Sequence, residues 1–392
     1  MKTVDEERFL RWLTDNGATF PKLRWPAVTP NEELCWRDPQ LRPVFEDNRD
    51  IFTRDDPILA LFLVREMVLG DRSFFYPYLS ILPYPESVQD WTEDETHELH
   101  DDRLAEAAAR RSAEIETYYH RVFTRLQEKY PGEFSETLYT FDKFKFAWKT
   151  IQARTFGRRL PWTALVPFAD CLNHTNVATK YDFDVDGNGM FRLYPSGATS
   201  YVAGAEAFNS YGRRSNFQLL LDYGFALPDN EWDYVDIDIS KSRADSRGNK
   251  KCRFMRRVIR IDWQSSLDEL FPPNFLQALA NSVPDKEQST TTSKLSELNT
   301  LCDALKWLRD ILSETVSRWG TVVEDERLLR EDTSGRLHAA IVYRTGRKKI
   351  VKNIMAKIDK KLGVIAQYPD SSSQSLEGVA DKLMVLSIAS KK

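Results

Sequence analysis

The hydrophobic period of this chain changes twice, and that change restricts the fold more than any single residue does. Up to about residue 156 the apolar side chains recur at helical spacing; over 181–194 they alternate with period two; after Phe225 the helical spacing returns. A chain patterned this way is expected to fold as α+β, with a small β region set between helical segments.

Residues 5–16 place Phe9, Leu10, Trp12 and Leu13 on one side of a short helix that Gly17 stops. Asp56-Pro57 opens a denser apolar stretch ending at Gly70, and because it is apolar on nearly every side it reads as a buried helix. Leu104, Ala108, Ile115, Tyr119, Val122 and Leu126 mark an amphipathic helix over 101–129, and a further helix is expected over 141–156. Residues 181–185 and 190–194 flank Asp186-Gly187 as a β-hairpin, and 199–202 continues the short strands. Beyond a polar linker at 289–293, Leu295, Leu298, Leu301, Leu305, Leu308 and Leu312 follow at helical spacing, with two more helices over 321–330 and 336–362.

Bulk properties exclude several classes. With 42% hydrophobic and 29% charged residues, the 392-residue chain reads as globular and large enough for two or three domains. The balance of 55 basic against 59 acidic side chains argues against a nucleic-acid partner. Cys35, Cys171, Cys252 and Cys302 are scattered, so neither a zinc cluster nor a disulfide framework is expected. The first residues hold no apolar signal core and no run approaches the ~20 apolar residues of a membrane span, so no membrane partner is expected. Cytoplasm or nucleus is the expected compartment.

The densest signals fall between residues 154 and 225, in the order Arg154-Thr-Phe156, Val166-Pro-Phe-Ala169-Asp170-Cys-Leu-Asn173-His174, Asn209-Ser-Tyr211-Gly212-Arg-Arg214 and Asp222-Tyr223-Gly224-Phe225. That order resembles the SET-domain protein methyltransferases, in the branch typified by the Rubisco large-subunit lysine methyltransferase. The resemblance implies a SET domain over 1–232 with a helical insertion over about 56–150 and its core over 151–232. It also implies an all-α substrate-binding domain over 233–366, followed by a loose tail over 367–392. It implies S-adenosylmethionine as cofactor, no metal, a monomer, and a protein substrate presenting a lysine. By the same resemblance Tyr211 is the catalytic tyrosine. Arg154, Asn173, His174, Tyr211 and Tyr223 hold the cofactor, and Asp170 braces the loop. Phe156, Ala169 and Arg214 face the substrate.

Methyl transfer from a sulfonium is an in-line displacement, so a neutral amine and an aligned donor suffice. A lysine, with a reference pKa of about 10.4, must first shed its proton, which desolvation assists. The related actin-histidine methyltransferases carry an Asn at the place of Phe156 and a Trp at the place of Ala169. An Asn amide can hold the second imidazole nitrogen and Phe156 cannot, so lysine is favoured over histidine. The chain departs from the resemblance at one point: between Gly17 and Gly70 there is no glycine. The Gly-x-Gly turn that wraps the cofactor's methionine end is therefore expected to be missing, and a non-catalytic protein-binding module is the reading this departure favours. The basic run Arg344, Arg347, Lys348, Lys349, Lys352, Lys357, Lys360 and Lys361 is expected to be a solvated helix face.

Overall fold

A computed structural model describes residues 3–18, 24–25, 30–157, 160, 162–183, 191–202, 204–238, 258–270, 294–331 and 333–366, without the side chains of 24, 25, 268, 269, 294–298 and 300. The chain divides into two compact units. One gathers Met1–Thr96, Asp102–Arg214 and Gln218–Phe225; the other gathers His97–Asp101, Ser215–Phe217 and Ala226–Lys392.

In the first unit, helix Val4–Asp15 starts at a capping box in which the Thr3 hydroxyl accepts from Glu6 N and the Glu6 carboxylate accepts from Thr3 N. Helix Asp55–Leu69 buries Ile58, Leu59, Leu61, Leu63 and Val64 all round, as its sequence predicts. Helix Phe141–Arg154 packs against it, and helix Asp102–Lys129 presents Leu104, Ile115, Val122, Phe123 and Leu126 to the core. Burying a side chain of this size removes about 1.5–3 kcal/mol of apolar exposure, so the helical layer is a major source of stability.

The β region is small. Thr179–Phe183 pairs antiparallel with Phe191–Pro195, Tyr181 lying opposite Leu193, and Arg24–Trp25 adds a third strand beside Phe191–Pro195. The hairpin read from the sequence is therefore present; Val185, Met190 and the Asp186-Gly187 turn lie outside the described residues. The expected strand over 199–202 is irregular chain. The helix expected to run to 156 stops at Arg154, because Thr155 turns extended (φ −79°, ψ 145°) and opens a two-residue strand, Thr155–Phe156, paired with Ala164–Leu165. A β-branched residue followed by an aromatic favours that switch. Residues 26–29, where the glycine-rich turn would begin, are outside the described part, while Pro30 accepts from Leu165 N at 2.9 Å and Asn31 bridges to Ala164.

The second unit is not all-helical. Tyr234–Asp238 and Val258–Asp262 form an antiparallel pair whose Val235, Ile237 and Ile261 join the core. That core also takes Leu305, Leu308 and Leu312 of helix Lys294–Trp319, and Ile350, Val351, Ile354 and Ile358 of helix Gly335–Ala366. The side chains of Leu295 and Leu298 lie outside the described set.

The basic run is corrected too. Lys352 and Lys360 are exposed, but Arg344, Arg347 and Lys348 are 5%, 7% and 1% exposed. Their charges are met inside the unit: Lys348 Nζ donates to Asp325 at 2.6 Å, Arg344 Nε to the same carboxylate at 2.9 Å, and Arg347 sits 3.4 Å from Asp101. Buried ions persist only when paired in this way. Among the described residues, no helix is long and apolar enough to cross a membrane.

Candidate active site

Arg154 is the last residue of helix Phe141–Arg154, where the exposed carbonyl ends favour a cation. Its Nη1 donates to the Asp170 carbonyl oxygen at 3.0 Å and stands 3.9 Å from the Asp170 carboxylate; its Nε is buried with no hydrogen-bond partner. Phe168 reaches a positive φ of 75°, which bends the chain into the turn Ala169–Cys171. The turn carries Ala169 into the core, fully buried, and Asp170 beside the fully buried Tyr78, whose hydroxyl donates to the Asp170 carboxylate. Burial pushes the Asp170 carboxyl up to about 6, with the Arg154 guanidinium opposing.

The next segment pairs with the one that carries Tyr211. Asn209 N donates to Asn173 O at 2.8 Å, and His174 forms a parallel bridge to Asn209. His174 Nδ1 lies 3.1 Å from Tyr211 N and 3.2 Å from the Asn209 carbonyl oxygen, so it accepts from the first in one tautomer and donates to the second in the other. The ring's Nε2 is buried without a partner. Burial also pulls the His174 pKa down, with the Asn209 carbonyl opposing, which keeps the ring neutral. The imidazole stacks on the Tyr211 ring, centroids 4.9 Å apart, and Tyr211 in turn lies 4.8 Å from the Tyr223 ring.

The Tyr211 hydroxyl donates to Leu172 O at 2.8 Å. Burial, with Tyr223 adding to it, pushes this phenol up to about 12, so it stays protonated at neutral pH. Burial raises Tyr223 as well. Glycine makes both tyrosine placements possible. Gly212 follows Tyr211 with φ +101°, and Gly224 follows Tyr223 with φ +78°.

These groups surround a cavity of about 320 Å³ whose wall includes Arg154, Phe156, Tyr181, Tyr211, Arg214 and Tyr223. Its size lies at the lower end of ordinary ligand pockets. Phe156 is held edge-on by Tyr181 and Phe191, each with its centroid 5.1 Å away. Five of the residues singled out in the sequence thus meet in one place: Arg154, Phe156, Tyr211, Arg214 and Tyr223. Three do not line it. Ala169 is packed behind the wall, His174 backs Tyr211, and Asn173 is exposed with its amide donating to Glu206 at 2.6 Å. Asp170, Thr179, Tyr181 and Asn209 line the cavity without having been assigned to cofactor, substrate or catalysis. Thr179 and Tyr181 were legible as two same-face positions of a period-two strand. Asn209, drawn in by the parallel bridge with His174, had no such signal. Among the described residues no group of His, Cys, Asp and Glu is arranged to hold a metal.

No family model matches the chain. It is 27% identical over 332 residues to the chloroplastic ribulose-1,5-bisphosphate carboxylase/oxygenase large subunit N-methyltransferase of Nicotiana tabacum, covering 76% of this chain and 65% of that protein. It is 24% identical over 349 residues to the actin-histidine N-methyltransferase of Mus musculus, covering 80% and 57%. The chain therefore spans 57–65% of the length of these two relatives. Its fold matches the solved SET domain of LSMT bound to MeLysine and AdoHcy, with TM-score 0.64, 20% identity and 96% of each chain covered. Rubisco LSMT bound to AdoMet aligns with TM-score 0.61, 20% identity and again 96% of each chain. The chain has the fold of the solved SET domain of LSMT. In this fold Tyr211, backed by His174, and Arg154 at the helix end meet at the cavity just described.

Proposed function

We infer that the chain is an S-adenosylmethionine-dependent protein-lysine N-methyltransferase. The observation that carries this reading is the cavity itself, where Arg154, the protonated Tyr211 and a ring-lined wall meet within the first unit. The residues fit the cofactor: the unpartnered Nε of Arg154 is a buried donor at the cavity, the unpartnered Nε2 of His174 is a buried polar atom beside it, and a guanidinium suits a carboxylate. Arg154 would hold the amino-acid carboxylate, Tyr211 and Tyr223 would wall the site, and Asn173 and His174 would contribute from the adjoining loop. When bound, the cofactor supplies an electrophilic methyl group on a positively charged sulfur.

The chain's own residues account for the rest. With its proton retained, Tyr211 orients through its oxygen and does not act as a base. Aromatic surface from Phe156, Tyr181 and Tyr223 disfavours an ammonium ion, which lowers the pKa of an entering lysine. Phe156 is an apolar wall for an aliphatic stem and has no amide to hold an imidazole, which supports lysine over histidine. Ala169 behind the wall and Arg214 on it complete the substrate side. The same reading makes the partner a protein, the enzyme a monomer and its compartment the cytoplasm or nucleus.

The test is product identity. The purified chain, incubated with labelled cofactor and a lysate, should place label in methyl-lysine on amino-acid analysis. Label in methyl-histidine would overturn the residue assignment. No label and no cofactor binding, with a protein partner still captured, would select the non-catalytic module.

A further inference from the structure

A second cavity shares no wall residue with the first. About 630 Å³ in volume, it is bounded by Arg54, Arg110, Glu114, Tyr118, Arg121 and Trp148, among others. Helix Asp102–Lys129 supplies Arg110, Glu114, Tyr118 and Arg121, which recur at helical spacing along one stripe. Arg54 comes from the turn that precedes helix Asp55–Leu69. Three arginines and one glutamate thus line the cavity. Among the described residues neither Arg54 nor Arg110 forms an ion pair. Arg54 does attract Asp56, whose carboxyl burial pushes upward against that attraction.

Arg121 is held in place. Its guanidinium lies over the Tyr118 ring at 5.4 Å and donates to the Asp50 carbonyl at 3.3 Å. Tyr118 is fixed in turn, its hydroxyl donating to Ile51 O at 2.6 Å and its ring packed 5.1 Å from Trp148. The rings are thereby occupied with one another and with Arg121, so the recognition this cavity offers is cationic. Like charges gathered at one rim repel unless an anion sits between them. With Arg121 engaged by the Asp50 carbonyl and the Tyr118 ring, Arg54 and Arg110 are left to pair with an oxyanion carrying several charges.

We propose that this cavity binds a phosphate-type oxyanion, as inorganic pyrophosphate or as the phosphate groups of a nucleotide. Titration calorimetry on the full chain with pyrophosphate, ATP and adenosine tests it. Saturable binding of pyrophosphate is expected with Kd below about 1 mM, weakening as salt rises. Arg54→Ala and Arg110→Ala should each weaken it about tenfold, with the circular dichroism spectrum unchanged because both side chains are exposed. Affinity for ATP equal to that for pyrophosphate identifies free phosphate recognition, and tighter ATP binding identifies a nucleotide as the source. Adenosine should give no heat. The proposal is overturned if pyrophosphate does not saturate, if adenosine reproduces the ATP signal, or if the double Arg54→Ala, Arg110→Ala variant binds pyrophosphate as the parent does.

Discussion

Tyr211 spends its one hydroxyl proton on the Leu172 carbonyl, which leaves the oxygen free to accept. Tyr211→Phe removes that oxygen and keeps the ring stack on His174. Turnover should fall roughly tenfold to hundredfold, about 1.4–2.8 kcal/mol of barrier, while cofactor affinity is retained; equal losses in both would contradict the role. Asp170 gives a pH prediction. Its folded pKa of about 6 lies above the ordinary 3.8, so its contribution to stability is full below about pH 4 and is lost as the pH rises through about 6. Asp170→Asn keeps an acceptor for the Tyr78 hydroxyl and does not titrate. Between about pH 4 and 7 the parent should lose up to about 3 kcal/mol more stability than this variant, read from urea midpoints. Parallel pH profiles would refute it. At this scale short local patterns in the sequence singled out Arg154, Phe156, Tyr211 and Tyr223, which line one cavity. The sequence misplaced the Asn173 side chain, whose partner Glu206 is fixed only by tertiary pairing.

Among the elements, the helices with one sustained period and the hairpin of Thr179–Phe183 with Phe191–Pro195 were legible, and the two-residue strands were not. Helix Asp55–Leu69 announced itself by an unbroken apolar run. The Thr155–Phe156 strand is two residues long and too short for any period to register, and its pairing with Ala164–Leu165 is what fixes it. The buried basic face of helix Gly335–Ala366 was illegible for another reason: its counter-charges, Asp325, Asp101 and Glu98, come from distant parts of the chain. Gly224 shows how an element junction can be tested. A Cβ there would lie 2.6 Å from the Glu86 carbonyl oxygen, on a backbone with φ +78°. Gly197 also has positive φ (+63°) but open space around it. Gly224→Ala should therefore cost more than about 2 kcal/mol by thermal or urea unfolding, and Gly197→Ala about 1 kcal/mol. Similar costs at the two positions would show that the close approach to Glu86 is not what requires glycine.

Over the whole molecule, the α+β class followed from the two changes of hydrophobic period. The discontinuity of the units did not. Residues 97–101 and 215–217 cluster with the second unit, where Arg344 donates to Glu98, Tyr343 to Asp101, and Asn216 to Asp233. No local pattern marks such short segments as belonging elsewhere. The candidate cavity, by contrast, lies wholly within the first unit. The central claim is that this cavity holds S-adenosylmethionine through Arg154, and calorimetric titration of the full chain tests it most directly. One site per chain with micromolar Kd is expected, weakened at least about tenfold in Arg154→Met, which keeps the side-chain length and removes the charge. An absence of binding to the parent chain, or an unchanged Kd in Arg154→Met, would contradict the account.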